Sequence, residues 1–481
     1  MIFPRRTFLS LTASAVAAGI ASPKFFAQSG TGHAKTLVRV SGEALATMPL
    51  DFAGLSYESP QLYNPSYFSK ENVSLVAAVK HLSPHGVVRF GGNLSDVARW
   101  KSDAGDFMTP KLAAAIEHGK TYWEWKLTDP RVRADRGGAI TPKAIRALRG
   151  FLDATGWKAI YGLNFGSGSP ERARDEAVHV ATMLGEKLIA FQVGNEADFF
   201  GDNPFFRDKA YDFEEYYSGY QTFVRAVRDA VPHAPFAGPD TAANMEWDEL
   251  YAKRAAGDAV MLSSHYYAMG PAKDPAMNAA RLLRPSPHLD NQIVQAHQAT
   301  TASGGKPFRL TETNSCYGGG RPDVSDAFAS ALWGADMMLE TAGAGYAGVN
   351  LHGGGDGYYT PIAVGGDGRA ELRPLFYGMQ FAQLLSGTQL FKCDATSDAN
   401  LTAYAGRKGK ALLLALINKG PEAVDVSLDW PELRGRTMTR AYRLTAPALE
   451  SKSGVSISPV VVAPRLASNI AGTRAMVFAW S

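Results

Sequence analysis

Two glutamates stand at the ends of short apolar runs. Ile189 to Val193 is followed by Gly194, Asn195 and Glu196, and 116 positions after Glu196, the run from Pro307 to Thr311 is followed by Glu312. Runs of this length and composition predict strands buried on both faces. In a barrel of parallel strands the C-terminal strand ends carry the chemistry, so a carboxylate there has a use beyond capping. Two carboxyl groups roughly 5–5.5 Å apart can cleave a glycosidic bond by double displacement: one protonates the leaving oxygen and later activates water, while the other attacks the anomeric carbon. Glu196 is the candidate acid/base and Glu312 the candidate nucleophile. Either one alone reads equally well as a cap or a surface residue; the pair is what asks for a common explanation.

The elements that must position them follow an alternating pattern. Strand-like runs at 51–57, 86–90, 159–163, 189–193, 235–238, 259–263, 307–311 and 347–351 are separated by helical periodicities. Among these, 70–82 has apolar residues at 73, 76 and 79, and 142–154 starts from Thr141 as N-cap with Pro142 in the first turn. The segment 172–184 follows the third strand, and 212–230 puts Phe213, Tyr216, Tyr217, Tyr220, Phe223, Val224 and Val227 on one face behind Asp212. A further helix is expected from Ser325 as N-cap to Gly343 as stop. Eight strands and intervening helices predict an α/β fold, a (β/α)8 TIM barrel with long loops after the strands, in which Glu196 ends strand four and Glu312 strand seven. Polar residues crowd the other strand ends: Glu58, Asn93, Asn164, Asp240, His265 with Tyr266, and the run from His352 to Tyr358.

From about Thr388 the pattern becomes short β-like runs at 401–405, 411–417, 424–428 and 476–480, as in a β-sandwich. The early run 36–48 has no place in the barrel and is assigned to that sandwich. The expected domains are therefore the barrel over 51–387 and an accessory β-sandwich domain of 30–50 with 388–481. Residues 1–29 read as an export signal of twin-arginine type, with Arg5-Arg6 before a mildly apolar segment, too short for a membrane span; folded export to the periplasm or medium of a bacterium is the expectation. The 49 basic and 46 acidic residues leave a net charge of +3 without a basic run, which argues against nucleic acid as a partner. Two cysteines, Cys316 and Cys393, make no disulfide framework, and no Cys/His cluster has metal spacing; neither metal nor cofactor is expected.

The segment Thr311-Glu312-Thr313-Asn314-Ser315-Cys316-Tyr317-Gly318-Gly319-Gly320, continuing through Pro322, Ser325-Asp326 and Phe328-Ala329, resembles the nucleophile region of glycoside hydrolase family 79, which contains bacterial β-glucuronidases and animal heparanases. Gly194-Asn195-Glu196 resembles its acid/base motif, Arg89-Phe90-Gly91-Gly92 its second-strand end, and His265-Tyr266-Tyr267 the strand before the nucleophile. The resemblance implies a barrel with a β-sandwich built from both chain ends, Glu196 as acid/base and Glu312 as nucleophile. It also implies that Asn195 holds the sugar 2-hydroxyl, that Tyr266 hydrogen-bonds the nucleophile, and that Tyr317, Gly318, Gly319 and Tyr358 grip a uronate carboxylate. Backbone N–H groups in a glycine turn suit that last task, since an anion can approach without meeting a Cβ.

Glu58 stands where heparanases carry Asp, and Asn93 where they carry Thr, so both are substrate-binding candidates on a side of the cleft that departs from the pattern. The segments 101–138 and 199–211 look specific to this chain; folded over the cleft, they would leave room for one terminal sugar. The reading is a retaining exo-β-glucuronidase acting on glucuronides or glucuronic-acid-containing saccharides. An endo-acting, heparanase-like enzyme and a non-catalytic sugar-binding protein on the same scaffold are the alternatives.

Overall fold

Eight parallel strands close into a barrel: Ala53–Glu58, Val87–Gly91, Lys158–Leu163, Leu188–Val193, Phe236–Thr241, Ala259–Met269, Phe308–Cys316 and Gly348–Gly353, each bonded to the next and the last to the first. This computed structural model describes residues 34–122, 138–242, 244–353, 357–365, 367–396, 398–461 and 469–481. The segment 1–29, read above as an export signal, lies outside them, as do Gly354, Gly355 and Asp356 of the His352 to Tyr358 run and part of 101–138. Among the described residues no helix is long and apolar enough to cross a membrane.

Local sequence starts the helices outside the barrel. Side-chain oxygens of Thr141, Ser169, Asp212 and Ser286 each accept a backbone N–H one turn on, and proline follows three of the four, where its missing N–H costs nothing. The helix expected from 70 begins instead at Val73, with Asn72 as its cap. Ser325 is not an N-cap. Helix Phe328–Gly343 starts three residues later, and its first N–H groups, Phe328 and Ala329, donate to the carbonyls of Ser451 (2.8 Å) and Leu449 (3.0 Å). Ser325 Oγ meanwhile accepts the Arg321 N–H at 2.8 Å and the Ser315 hydroxyl at 2.7 Å. The other end of the helix falls at Gly343 as expected, with Ala344 as C-cap. A helix end buried under another part of the chain takes its caps from there, which sequence-local rules cannot anticipate.

Among the described residues nine further strands form one sheet, in the order Ser456–Pro459, Met438–Thr445, Arg474–Trp480, Ala411–Asn418, Leu401–Lys408, Gln389–Thr396, Ala34–Thr47, Val424–Asp429, Asn469–Ile470, and two short pairs, Lys101–Ser102 with Gly105–Asp106 and Ile362–Val364 with Ala370–Leu372, stand apart. The nine-stranded sheet curls over its own core, with Val38, Leu414, Val426, Trp430, Phe478 and Trp480 inside. Ala34–Thr47 pairs antiparallel with Gln389–Thr396 and parallel with Val424–Asp429, which joins the start of the described chain to its end. Helix Phe328–Gly343 is buried on nearly every side, because the sheet covers the face turned away from the barrel. There Asp336 accepts bonds from Thr402, Tyr404 and Lys419, and the Lys419 side chain is 4% exposed. Breaking a buried ion pair strands its partner, so Lys419→Met is expected to lower the unfolding free energy by about 3 kcal/mol, read by urea denaturation; an unchanged midpoint would show that this contact does not hold sheet to barrel.

Candidate functional site

Alternation along the strands sets which side chains enter the barrel. Val87 and Ala190 belong to an apolar layer at one end with Ile160, Ala237 and Met261; two residues further along their strands, Arg89 and Gln192 point into the same interior. The Arg89 guanidinium is fully buried, and its five N–H donors meet five acceptors: Gln192 Oε1 (3.0 Å), Ser56 Oγ (3.3 Å), Glu312 Oε2 (2.8 Å), Asn195 Oδ1 (2.7 Å) and Asp240 Oδ2. A Cβ on Gly91 would lie 2.0 Å from Arg89 Cζ, so the glycine is what lets the guanidinium fold back along its own strand. Burial opposes charge on both Arg89 and Asp240. Their mutual attraction outweighs it, raising the Arg89 pKa and, with help from His265, holding the Asp240 carboxyl well below the usual carboxylate range.

Glu312 is reached by an irregularity. Strand Phe308–Cys316 slips register against both neighbours between Leu310 and Thr313. As a result consecutive residues both face inward: the Thr311 hydroxyl donates to Asp240, while Glu312 takes Arg89 on one oxygen and the Tyr267 hydroxyl on the other, at 2.7 Å. Bulges beside active sites re-aim side chains in this way. His352 Nδ1 lies 3.4 Å from Glu312 Oε2 and 3.0 Å from Ser56 Oγ.

Glu196 follows strand Leu188–Val193 in a left-handed conformation, φ 50°, rare for a residue with a side chain. Asp240, φ 63°, is another such residue, and the Glu196 N–H donates to its carbonyl at 2.9 Å. His265 bridges the two side chains, with Nδ1 2.9 Å from Glu196 Oε1 and Nε2 3.2 Å from Asp240 Oδ2. Burial alone would pull the imidazolium down, but Asp240, Glu312 and the bond to Glu196 raise its pKa to about 10. Oxygens of Glu196 and Glu312 and a nitrogen of His265 lie within 4.8 Å of one another. That spacing would suit a metal ion, which would need His265 to give up its proton, since an imidazolium has no lone pair to offer.

The other candidates are distributed as follows. Asn195 is buried, its carbonyl oxygen taken by Arg89 and the Gly92 N–H (3.0 Å), and its amide donates to Asn93 Oδ1 at 3.1 Å. Glu58 accepts the Leu94 N–H at 2.8 Å and lies 3.9 Å from His352 Nε2. Gly318, Gly319 and Gly320 take three successive positive φ values, and a Cβ on Gly320 would meet the Tyr359 nitrogen at 2.6 Å. This packs the loop after strand seven against the loop after strand eight, so that Tyr317 and Tyr358, about half exposed, sit on adjacent loops. Tyr266 does not hold the nucleophile. Its hydroxyl bonds Ser286 Oγ at 2.9 Å outside the barrel, and Tyr267, one residue on, is the one that faces in. His265 at an inward position would have settled this, because strand parity puts 267, not 266, on its face. Arg89 and Gln192 went unrecognised as site residues because their role depends on partners from other strands.

An eight-stranded parallel barrel whose strand ends bring two glutamates together is the class to which many glycoside hydrolases belong. No family model matches the chain. It is 25% identical over 401 residues to a β-glucuronidase of Aspergillus niger, covering 76% of this chain and 69% of that one. It is 23% identical over 357 residues to a β-glucuronidase of Neurospora crassa, covering 67% of this chain and 60% of the relative's length. Among solved structures, a 4-O-α-L-rhamnosyl-β-D-glucuronidase of Fusarium oxysporum superposes with a TM-score of 0.67 at 18% identity, over 92% of this chain and 99% of the other. A family 51 arabinofuranosidase of Xanthomonas axonopodis pv. citri gives 0.66 at 14%, over 93% and 100%. The barrel with its accessory sheet is thus an architecture shared with glycosidases of more than one specificity.

His265 gives a test by pH. A raised folded pKa contributes stability that is fully present below the unfolded value of about 6.5 and is lost as pH climbs through the folded value of about 10. The unfolding free energy of His265→Gln should therefore fall furthest below that of the wild type near pH 6, with the gap narrowing towards pH 9.5. A gap independent of pH would mean that His265 is not the cation described.

Proposed function

We propose that this chain is a retaining, exo-acting β-glucuronidase of the family 79 type. The observation that carries the reading is that an oxygen of Glu196 lies within 4.8 Å of an oxygen of Glu312, which supports the close pairing of carboxyl groups that double displacement uses. The β-glucuronidases among its relatives support the sugar class. Arg89 and the Tyr267 hydroxyl each bond one oxygen of Glu312, contacts that favour its anionic form. The Glu196–His265 pair holds the proton that passes to the glycosidic oxygen as the C1–O bond breaks and a Glu312 oxygen bonds C1. Once Glu312 is esterified its charge is gone, which weakens the field that holds His265 cationic. Water then gives a proton back to Glu196, attacks C1, and Glu312 leaves as the carboxylate.

Exo action draws support from the two chain-specific segments. Helix Pro110–Tyr122 is tied to the segment after Glu196 by a bond from Lys111 Nζ to the Phe206 carbonyl at 3.0 Å, so both insertions build on the acid/base side. Tyr317, Gly318, Gly319 and Tyr358 are assigned to the C6 carboxylate, with Glu58 and Asn93 toward the sugar hydroxyls.

Glu312→Gln should abolish turnover of an aryl β-glucuronide, because an amide cannot attack C1, whereas Glu196→Ala should retain activity on leaving groups that need no proton. NMR of the first-formed sugar should show the β-anomer; the α-anomer would sink double displacement. On the sugar class, a β-glucuronide should be preferred to the matching β-glucoside by up to about 10⁴-fold in kcat/KM, since donors built for a carboxylate are left unpaired by a hydroxymethyl group. Tyr358→Phe should narrow that gap; equal losses on both substrates would remove Tyr358 from the carboxylate site.

A further inference from the structure

One buried carboxylate outside the catalytic pair touches three strand ends at once. Asp96 lies in the turn Asn93–Val97 after the second barrel strand, and its side chain is 1% exposed. Its Oδ1 accepts the N–H groups of Phe165 (3.0 Å) and Gly166 (2.9 Å), just beyond the third strand, and its Oδ2 accepts the Asn195 N–H (3.0 Å), just beyond the fourth. The carbonyls of the same two loop residues are held from the other side: Arg207 donates to Phe165 O at 3.3 Å and Gly166 O at 3.2 Å. Arg207 belongs to the segment after Glu196 and stacks over Phe165, Phe200 and Tyr211 at 4.8, 5.6 and 5.3 Å. The loop is gripped at its N–H groups by a carboxyl whose burial pushes its pKa up to about 7 against the pull of those three bonds, and at its carbonyls by a cation.

We propose that Asp96, with Arg207 opposite, is a positioning residue for Glu196, fixing the peptide that aims the acid/base at the leaving-group oxygen. The proposal rests on the function put forward above. Glu196 has a left-handed backbone, so the direction of its side chain depends on the peptides beside it. Its own N–H is fixed by the Asp240 carbonyl, and the N–H one residue earlier is fixed by Asp96. His265 holds the Glu196 carboxylate at its far end, while the Asn195 side chain is held at both amide atoms by Arg89, Gly92 and Asn93. Losing Asp96 therefore disturbs the acid/base more than the residue assigned to the 2-hydroxyl.

The test compares leaving groups. Asp96→Asn keeps the volume but replaces one acceptor oxygen by an NH2 that must face a backbone N–H. The variant should lose at least about 10-fold more kcat/KM on an alkyl β-glucuronide, whose departure needs a proton, than on a dinitrophenyl β-glucuronide, whose departure does not. A residue that merely holds the fold together would cost both substrates the same factor, and that result, or no loss at all, overturns the proposal. If Asp96→Asn does not fold, Arg207→Gln loosens the same loop from its other face and is held to the same two outcomes. A wild type that cleaves no glucuronide but another β-glycoside refutes the function put forward, not the role of Asp96, which the same pair of leaving groups on that sugar then decides.

Discussion

A guanidinium sealed inside a barrel is the constraint on which this structure turns. Arg89 is fully buried, and a charge so placed is tolerable only if every donor is met and opposite charge lies close by. Asp240 and Glu312 supply that charge, and His265 enters as a second buried cation between Asp240 and Glu196. Two cations facing three carboxylates leave the cluster with an excess of negative charge, which is why the His265 pKa is raised despite its burial. Each member depends on the others: removing one leaves an uncompensated charge in a medium where that is costly.

The backbone bends to serve that cluster. Glu196 and Asp240 adopt left-handed conformations that side chains ordinarily avoid, and strand Phe308–Cys316 gives up its register so that Thr311 and Glu312 can both face inward. Strain of this kind persists only where surrounding contacts over-determine it. The contacts here are the Arg89 network and the mutual bond between the Glu196 N–H and the Asp240 carbonyl.

The accessory sheet takes part in this support at a distance. Its loop at Leu449–Ser451 caps helix Phe328–Gly343, and the turn that precedes the helix carries Tyr317 and the glycines that follow it. Lys452 reaches Asp323 and Asp326 in the same turn, at 2.7 and 2.9 Å. The rim on the strand-seven side is therefore propped by residues more than a hundred positions later in the chain, which gives the second domain a mechanical reason to accompany the barrel.

Much of this was legible in the chain itself. Thr141-Pro142 and Asp212 start helices where local rules say they should, because a cap bonds to its own next turn and needs nothing distant. The apolar runs before Glu196 and Glu312 were visible as strands because burial on both faces leaves no other composition available. Ser325, Tyr266 and Arg89 show where that reading ends. The cap at Phe328 comes from Ser451, which no local pattern announces. Tyr266 and Tyr267 differ only in strand parity, and parity becomes known once one neighbour is placed inside the barrel. Arg89 stands in a segment that resembles the family's second-strand end, but its role shows only once strands one, four, five and seven surround it. Sequence determined which elements form and that Glu196 follows one of them, since those depend on neighbours a few residues apart, whereas the strand expected to end at Glu312 runs on to Cys316. Closure of the barrel decided which side chains share an electric field, because that depends on residues brought together from more than two hundred positions apart.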